Sequence, residues 1–134
     1  MSTARKRDRG FTLIEMVVVI SLVLVLLSIA LPMYNQAILH AREARLHSDL
    51  DTLNKVIQAF SYDKRKAPQS LDELVQTGYL KFIPNDITGK NDTWVTEPED
   101  SENAWNPNEP GIGTVHSGSN EMSSEGTPYS GWTH

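Results

Sequence analysis

Between residues 16 and 31 every side chain is apolar except Ser21 and Ser28. Counted from Phe11, the stretch runs for about 21 residues before Pro32, and at 1.5 Å rise per residue a helix of that length spans roughly 30 Å, the thickness of a bilayer's hydrocarbon core. A chain of 134 residues supports only a modest hydrophobic core. The run therefore reads as a single membrane-crossing helix. Arg5, Lys6, Arg7 and Arg9 against Asp8 give the ten residues before it a net charge of +3. The positive-inside rule then places the N-terminus in the cytoplasm and the remainder outside.

After Pro32 the pattern changes from apolar on all sides to one-sided. Leu39, Leu46, Leu50, Leu53, Ile57 and Phe60 fall at spacings of seven, four, three, four and three, a helical stripe. Between them Arg42, Glu43, Arg45, Asp49, Asp51 and Lys55 make a wet face. The expectation is one helix of about 50 residues, half in lipid and half docked on a head. Lys64, Arg65 and Lys66 suit the negative end of its dipole, and Pro68 stops it. Ser70-Leu71-Asp72-Glu73 is a capping box opening a short second helix, which Gly78 is placed to end. Residues 80–84 read as extended. Beyond Asn85 the chain is rich in Gly, Pro, Ser, Asn and Asp, with strand candidates at residues 93–96 and 113–115. Trp94, Trp105, Tyr129 and Trp132 mark packing rather than disorder. The fold class expected is α+β.

Charge and chemistry exclude several function classes. Residues 11–84 are neutral overall, and residues 85–134 carry a net −8. Nucleic acid is not an expected partner, because phosphate binding needs clustered Lys and Arg. There is no Cys, so disulfides and thiolate chemistry are absent. Gly111-Ile112-Gly113 lacks the third glycine of a nucleotide fingerprint, since His116 stands at that position. His40 and His47 are two helical turns apart, too far to chelate one ion. Nothing positions a Ser-His-acid nucleophile around His116. No enzymatic activity is expected.

The run Arg9-Gly10-Phe11-Thr12-Leu13-Ile14-Glu15, followed by the apolar stretch, resembles the processing and assembly signal of type IV pilins and type II secretion pseudopilins. The resemblance implies cleavage after Gly10 by a prepilin peptidase and N-methylation of Phe11. It makes Glu15 the acid five places into the mature chain and Pro32 the proline 22 places in. The chemistry is coherent. A glycine lets an extended backbone enter a narrow protease site, and the basic leader holds that site at the membrane face. A carboxylate at the start of a membrane span costs a few kcal/mol, less near the interface. Cleavage creates a partner for Glu15, the ammonium of Phe11. The two groups lie a turn apart within one subunit, and the resemblance implies pairing with a neighbour's Phe11 instead, which sets the stagger of assembly. Glu15 could also snorkel to the interface, and Pro32 could be a simple kink.

Residues 70–84 resemble the stretch after the long helix in major, G-type pseudopilins, where a short helix and a Gly78-Tyr79-Leu80 step lead to Pro84 and Asp86. Residues 115–132 resemble the C-terminal ends of G-like proteins. The implied architecture is pilin-like: residues 1–10 a cytoplasmic leader that is removed, residues 11–32 a transmembrane and assembly helix, residues 33–134 a periplasmic head with a short helix and a small antiparallel sheet. The resemblance also implies a structural calcium in the C-terminal loop, for which Ser117, Ser119, Asn120, Glu121, Ser124 and Glu125 are the oxygen donors available. This sequence has no Asp after Asp100, where the family's site uses Asp.

The function implied is a structural subunit of a type II secretion pseudopilus. Its partners would be identical copies, minor pseudopilins, the prepilin peptidase, an inner-membrane assembly platform with its ATPase, and membrane lipid before assembly. Location would pass from the bacterial inner membrane, single-pass, to a periplasmic filament. A surface type IV pilin used for adhesion, motility or DNA uptake shares the same anchor. A binding module with an ordinary signal peptide, cleaved after Ser28-Ile29-Ala30, is the reading from another class. Glu15 and the apolar character up to Met33 weigh against it.

Overall fold

The computed structural model describes residues 10–133. Residues 1–9 of the expected leader (residues 1–10), and His134, lie outside the described residues. Helix α1 (Leu13–Lys64) is followed by α2 (Leu71–Gln76), β1 (Trp94–Pro98), β2 (Ile112–Ser117) and a 3-10 turn (Tyr129–Gly131), an α+β arrangement. The chain divides between Ile38 and Leu39 into two compact units.

In the first unit every side chain from Phe11 to Ile38 is exposed. Apolar residues here have no protein surface to bury against, and α1 is long and apolar enough to cross a bilayer. The two hydroxyls in the run are satisfied internally: Ser21 donates to the Val17 carbonyl at 2.7 Å and Ser28 to that of Val25 at 2.6 Å. This is the bonding a serine needs where water is absent. The helix continues through Pro32.

The second unit is built on one face of α1. Leu46, Leu50, Leu53, Ile57 and Phe60 are buried and pack with Leu74, Leu80, Trp94, Ile112, Val115, Tyr129 and Trp132. The expected stripe differs at its start. Leu39 is 38% exposed, and Glu43, assigned above to the wet face, is buried at 5% exposure. The physical reason is the helical period. Positions 43, 46, 50, 53, 57 and 60 step by three and four without a gap, so Glu43 fills a core-facing position.

The turns follow local chemistry. Helix α1 ends at Lys64, and Arg65 takes a left-handed backbone at φ 55°. Ser70 caps α2 by accepting from Glu73 N at 3.2 Å, while the Glu73 carboxylate accepts from Gln69 N at 2.7 Å. Gly78 ends α2 at φ 85°, with Tyr79 N donating to Leu74 O and Gly78 N to Val75 O. That pair of bonds is a Schellman close, for which a glycine is the least strained residue. Strands β1 and β2 form a two-stranded antiparallel sheet, with Trp94 opposite Ser117 and Thr96 opposite Val115. Strand β2 is longer at both ends than expected, and β1 starts one residue later and ends two residues later. A bulge follows Glu97, where Pro98 can donate no ladder bond. Residues 80–84 join no strand. Asn54 on α1 ties in the sheet and the C-terminus, accepting from Val115 N at 3.1 Å and donating to Thr133 O at 2.9 Å.

Candidate functional site

The site read from the sequence begins where α1 begins. Gly10, Phe11 and Thr12 precede the helix, and Phe11 is 79% exposed. Thr12 is the N-cap: its hydroxyl accepts from Glu15 N at 3.1 Å, and its carbonyl accepts from Met16 N at 3.1 Å. The peptide between Gly10 and Phe11 is thus exposed and free of helical hydrogen bonding, the state in which a protease can extend it. Phe11 stands two residues before the helix, so it does not lie one helical turn from Glu15 as expected. Glu15 occupies the first turn, where an acid favours the positive end of the helix dipole. Thr12 was missed as a functional residue, although Thr12-Leu13-Ile14-Glu15 carries the capping spacing.

The C-terminal loop has a different organisation from the one expected. Its centre is two buried carboxylates, Asp86 and Glu43. Asp86 accepts four hydrogen bonds: from Ser117 Oγ at 2.6 Å, Ile87 N at 2.7 Å, Thr93 Oγ1 at 2.9 Å and Gly118 N at 3.1 Å. A Cβ on Gly118 would overlap the Thr93 carbonyl oxygen, so the loop reaches Asp86 only with glycine there. Glu43 accepts from Ser124 N at 2.7 Å, from Ser124 Oγ, and from Tyr129 Oη at 2.9 Å. Burial raises the Glu43 pKa, but the Ser124 and Tyr129 bonds and the nearby His40 more than offset it, leaving the carboxyl below its ordinary value. Burial, with the hydrogen bond to Glu43, pushes the Tyr129 phenol up to about 12.

The six calcium candidates are not gathered on one point. Ser117 belongs to the Asp86 group and Ser124 to the Glu43 group, each with its proton donated to a carboxylate. Ser119 accepts from Glu121 N at 3.3 Å, and Asn120, Glu121 and Glu125 are exposed. Among the described residues no three His, Asp or Glu side chains group as metal ligands. This donor set does not fit calcium, which needs several oxygens converging on the ion. The loop is held by carboxylate clips instead. Asp86 was legible as a turn residue beside Asn85. Glu43 was legible from the helical period.

Comparison with known proteins adds two findings. Residues 5–31 match the family described as "Prokaryotic N-terminal methylation motif". The chain is 31% identical over 72 residues, 54% of its own length and 71% of the relative's, to the competence protein ComGC of Halalkalibacterium halodurans. No solved structure matches significantly.

Proposed function

The chain belongs to the type IV pilin-like proteins, and on that premise we propose that it is the major subunit of a type II secretion pseudopilus, polymerising through α1. The observation that carries the reading is the N-terminus itself: an exposed, non-helical Gly10-Phe11 step directly ahead of an apolar run whose side chains are all exposed among the described residues. The prepilin peptidase cuts there and methylates Phe11. Residues 1–10 leave as a cytoplasmic leader, residues 11–32 hold the chain in the inner membrane, and residues 33–134 form the periplasmic head. Glu15 then meets the new ammonium of a neighbouring Phe11. At about 4 Å such a pair is worth about 4 kcal/mol at an effective dielectric constant of 20, enough to bias one stagger over others. Membrane-embedded subunits exchange lipid for the exposed helices of their copies. The role is structural. Minor pseudopilins, the assembly platform and its ATPase are the remaining partners, and the head's resemblance to G-type pseudopilins favours a secretion machine.

A second reading has its own support. The relative's name, competence protein, favours a filament of a DNA-uptake apparatus. Deleting the chain's gene separates the two: loss of protein export with normal transformation supports the secretion filament, and loss of transformation with normal export supports the other. Electron microscopy of filaments sheared from cells expressing the chain tests what both share. Filaments containing the chain are expected, and their absence would refute both.

A further inference from the structure

A groove opens beside the last turns of α1 in the second unit, with a volume of about 280 Å³. Its walls are Ile57, Tyr62, Trp105 and Ile112, and Glu99 lines it. Glu99 Oε2 is covered yet has no hydrogen-bond partner. Tyr62 and Trp105 meet edge to face at 6.5 Å, and both remain accessible, Tyr62 at 66% and Trp105 at 42%. The groove therefore combines two aromatic rings with a carboxylate oxygen that lacks a donor. That chemistry suits a guanidinium, which stacks on ring faces and forks onto a carboxylate. The same rings already hold one: the Arg65 guanidinium lies 5.2 Å from the Tyr62 ring and 5.4 Å from that of Trp105.

Among the described residues one arginine is unclaimed. Arg45 faces Asp49 at 3.6 Å, and Arg65 sits on its own rings. Arg42 is exposed and pairs with no carboxylate among the described residues. It stands about 24 Å along α1 from Gln58, which also borders the groove. A contact between Arg42 and this groove joins two different surfaces of one head. Such heterologous contacts repeat from copy to copy, and where the rotation does not close a ring they build open filaments.

We propose that the groove lined by Glu99, Tyr62 and Trp105 receives Arg42 of a second copy of this chain, linking heads in series along the filament. The proposal rests on the filament reading above and names the contact that reading leaves open. The acidic surroundings favour a cation: Glu97, Asp100, Glu102 and Glu109 lie on the same connection between and around β1 and β2, without a basic residue among them.

The chain's lack of cysteine makes the test direct. Full-length chain carrying both Arg42→Cys and Glu99→Cys is expressed in cells, and sheared filaments are treated with a flexible bis-maleimide reagent spanning about 10 Å, because an arginine–carboxylate contact holds its Cα atoms further apart than a disulfide reaches. A ladder of thiol-crosslinked dimers, trimers and higher multimers is expected, absent when either cysteine is introduced alone. Independently, Arg42→Glu or Glu99→Arg is expected to lower filament yield about tenfold, and the double exchange to restore it. Filaments at normal yield with no ladder, or with charge reversals that change nothing, would overturn this contact and leave the filament reading standing. An unmodified chain that forms no filaments would overturn both.

Discussion

Helix α1 carries two acids with opposite situations. Glu15, in the first unit, is exposed at the start of an apolar run and finds no hydrogen-bond donor for its carboxylate among the described residues. Glu43, in the second unit, is buried and has three donors from its own chain. The difference extends to the surfaces around them. Around Glu15 the apolar side chains are exposed on every side among the described residues. Around Glu43 one face is packed and the other is wet. An apolar surface that its own chain leaves bare is specified for surroundings outside the monomer, lipid first and then other copies. A surface that its own chain covers is specified for folding. The two units should therefore respond to different substitutions in different assays.

The comparison breaks most visibly at the cores. Phe60→Ala is expected to cost the second unit about 3–5 kcal/mol of stability, read by chemical denaturation of the full chain in detergent. Leu24→Ala removes a similar amount of apolar surface but should leave that transition where it is. A shared response would mean that the first helix half is packed into the fold. The acids sharpen the same contrast. Glu43→Ala should destabilise the second unit by about 2–3 kcal/mol, because Ser124 N and Tyr129 Oη lose a charged acceptor in a buried site. Glu15→Val should not move the melting transition but should deplete filaments.

Acid and base titrate the Glu43 group. The folded-state pKa of Glu43 lies below its ordinary value of 4.5, so its stabilising contribution is complete above that value and is lost as pH falls through the lower folded one. Tyr129 is raised from 10.0 to about 12. Its contribution is complete below pH 10 and declines as the pH rises toward 12. Thermal melts across both windows should show two declines, and Glu43→Gln should remove the acid one. The smallest effect expected is that of calcium. With Ser117 and Ser124 already bonded to Asp86 and Glu43, millimolar calcium should shift the melting temperature by less than any of these substitutions. A shift of several degrees would show that the loop rearranges to bind the ion.

The legible parts of the sequence were those where one local rule had no competitor. The apolar run, the Ser70 cap and the Gly78 close each depend on residues within one or two turns, and each stands where expected. Glu43 was misplaced because charge was weighed before period. A carboxylate normally belongs outside, and only Ser124 and Tyr129, some eighty residues away, make its burial tolerable. The C-terminal loop was hard to read for a related reason. A loop rich in serine and glutamate oxygens reads alike whether those oxygens bind an ion or a buried acid. The deciding partners, Asp86 and Glu43, lie far off in sequence. Trp105 taught the converse, since a large ring expected to pack inward stands only partly covered, on the groove beside Tyr62.

The most direct test of the central claim is mass spectrometry of the mature N-terminus from native membranes. A chain that begins at N-methylated Phe11 is predicted, with the whole apolar run retained behind it. A chain that begins at Leu31, shorn of that run, would contradict the account and leave an exported domain with no anchor to assemble through.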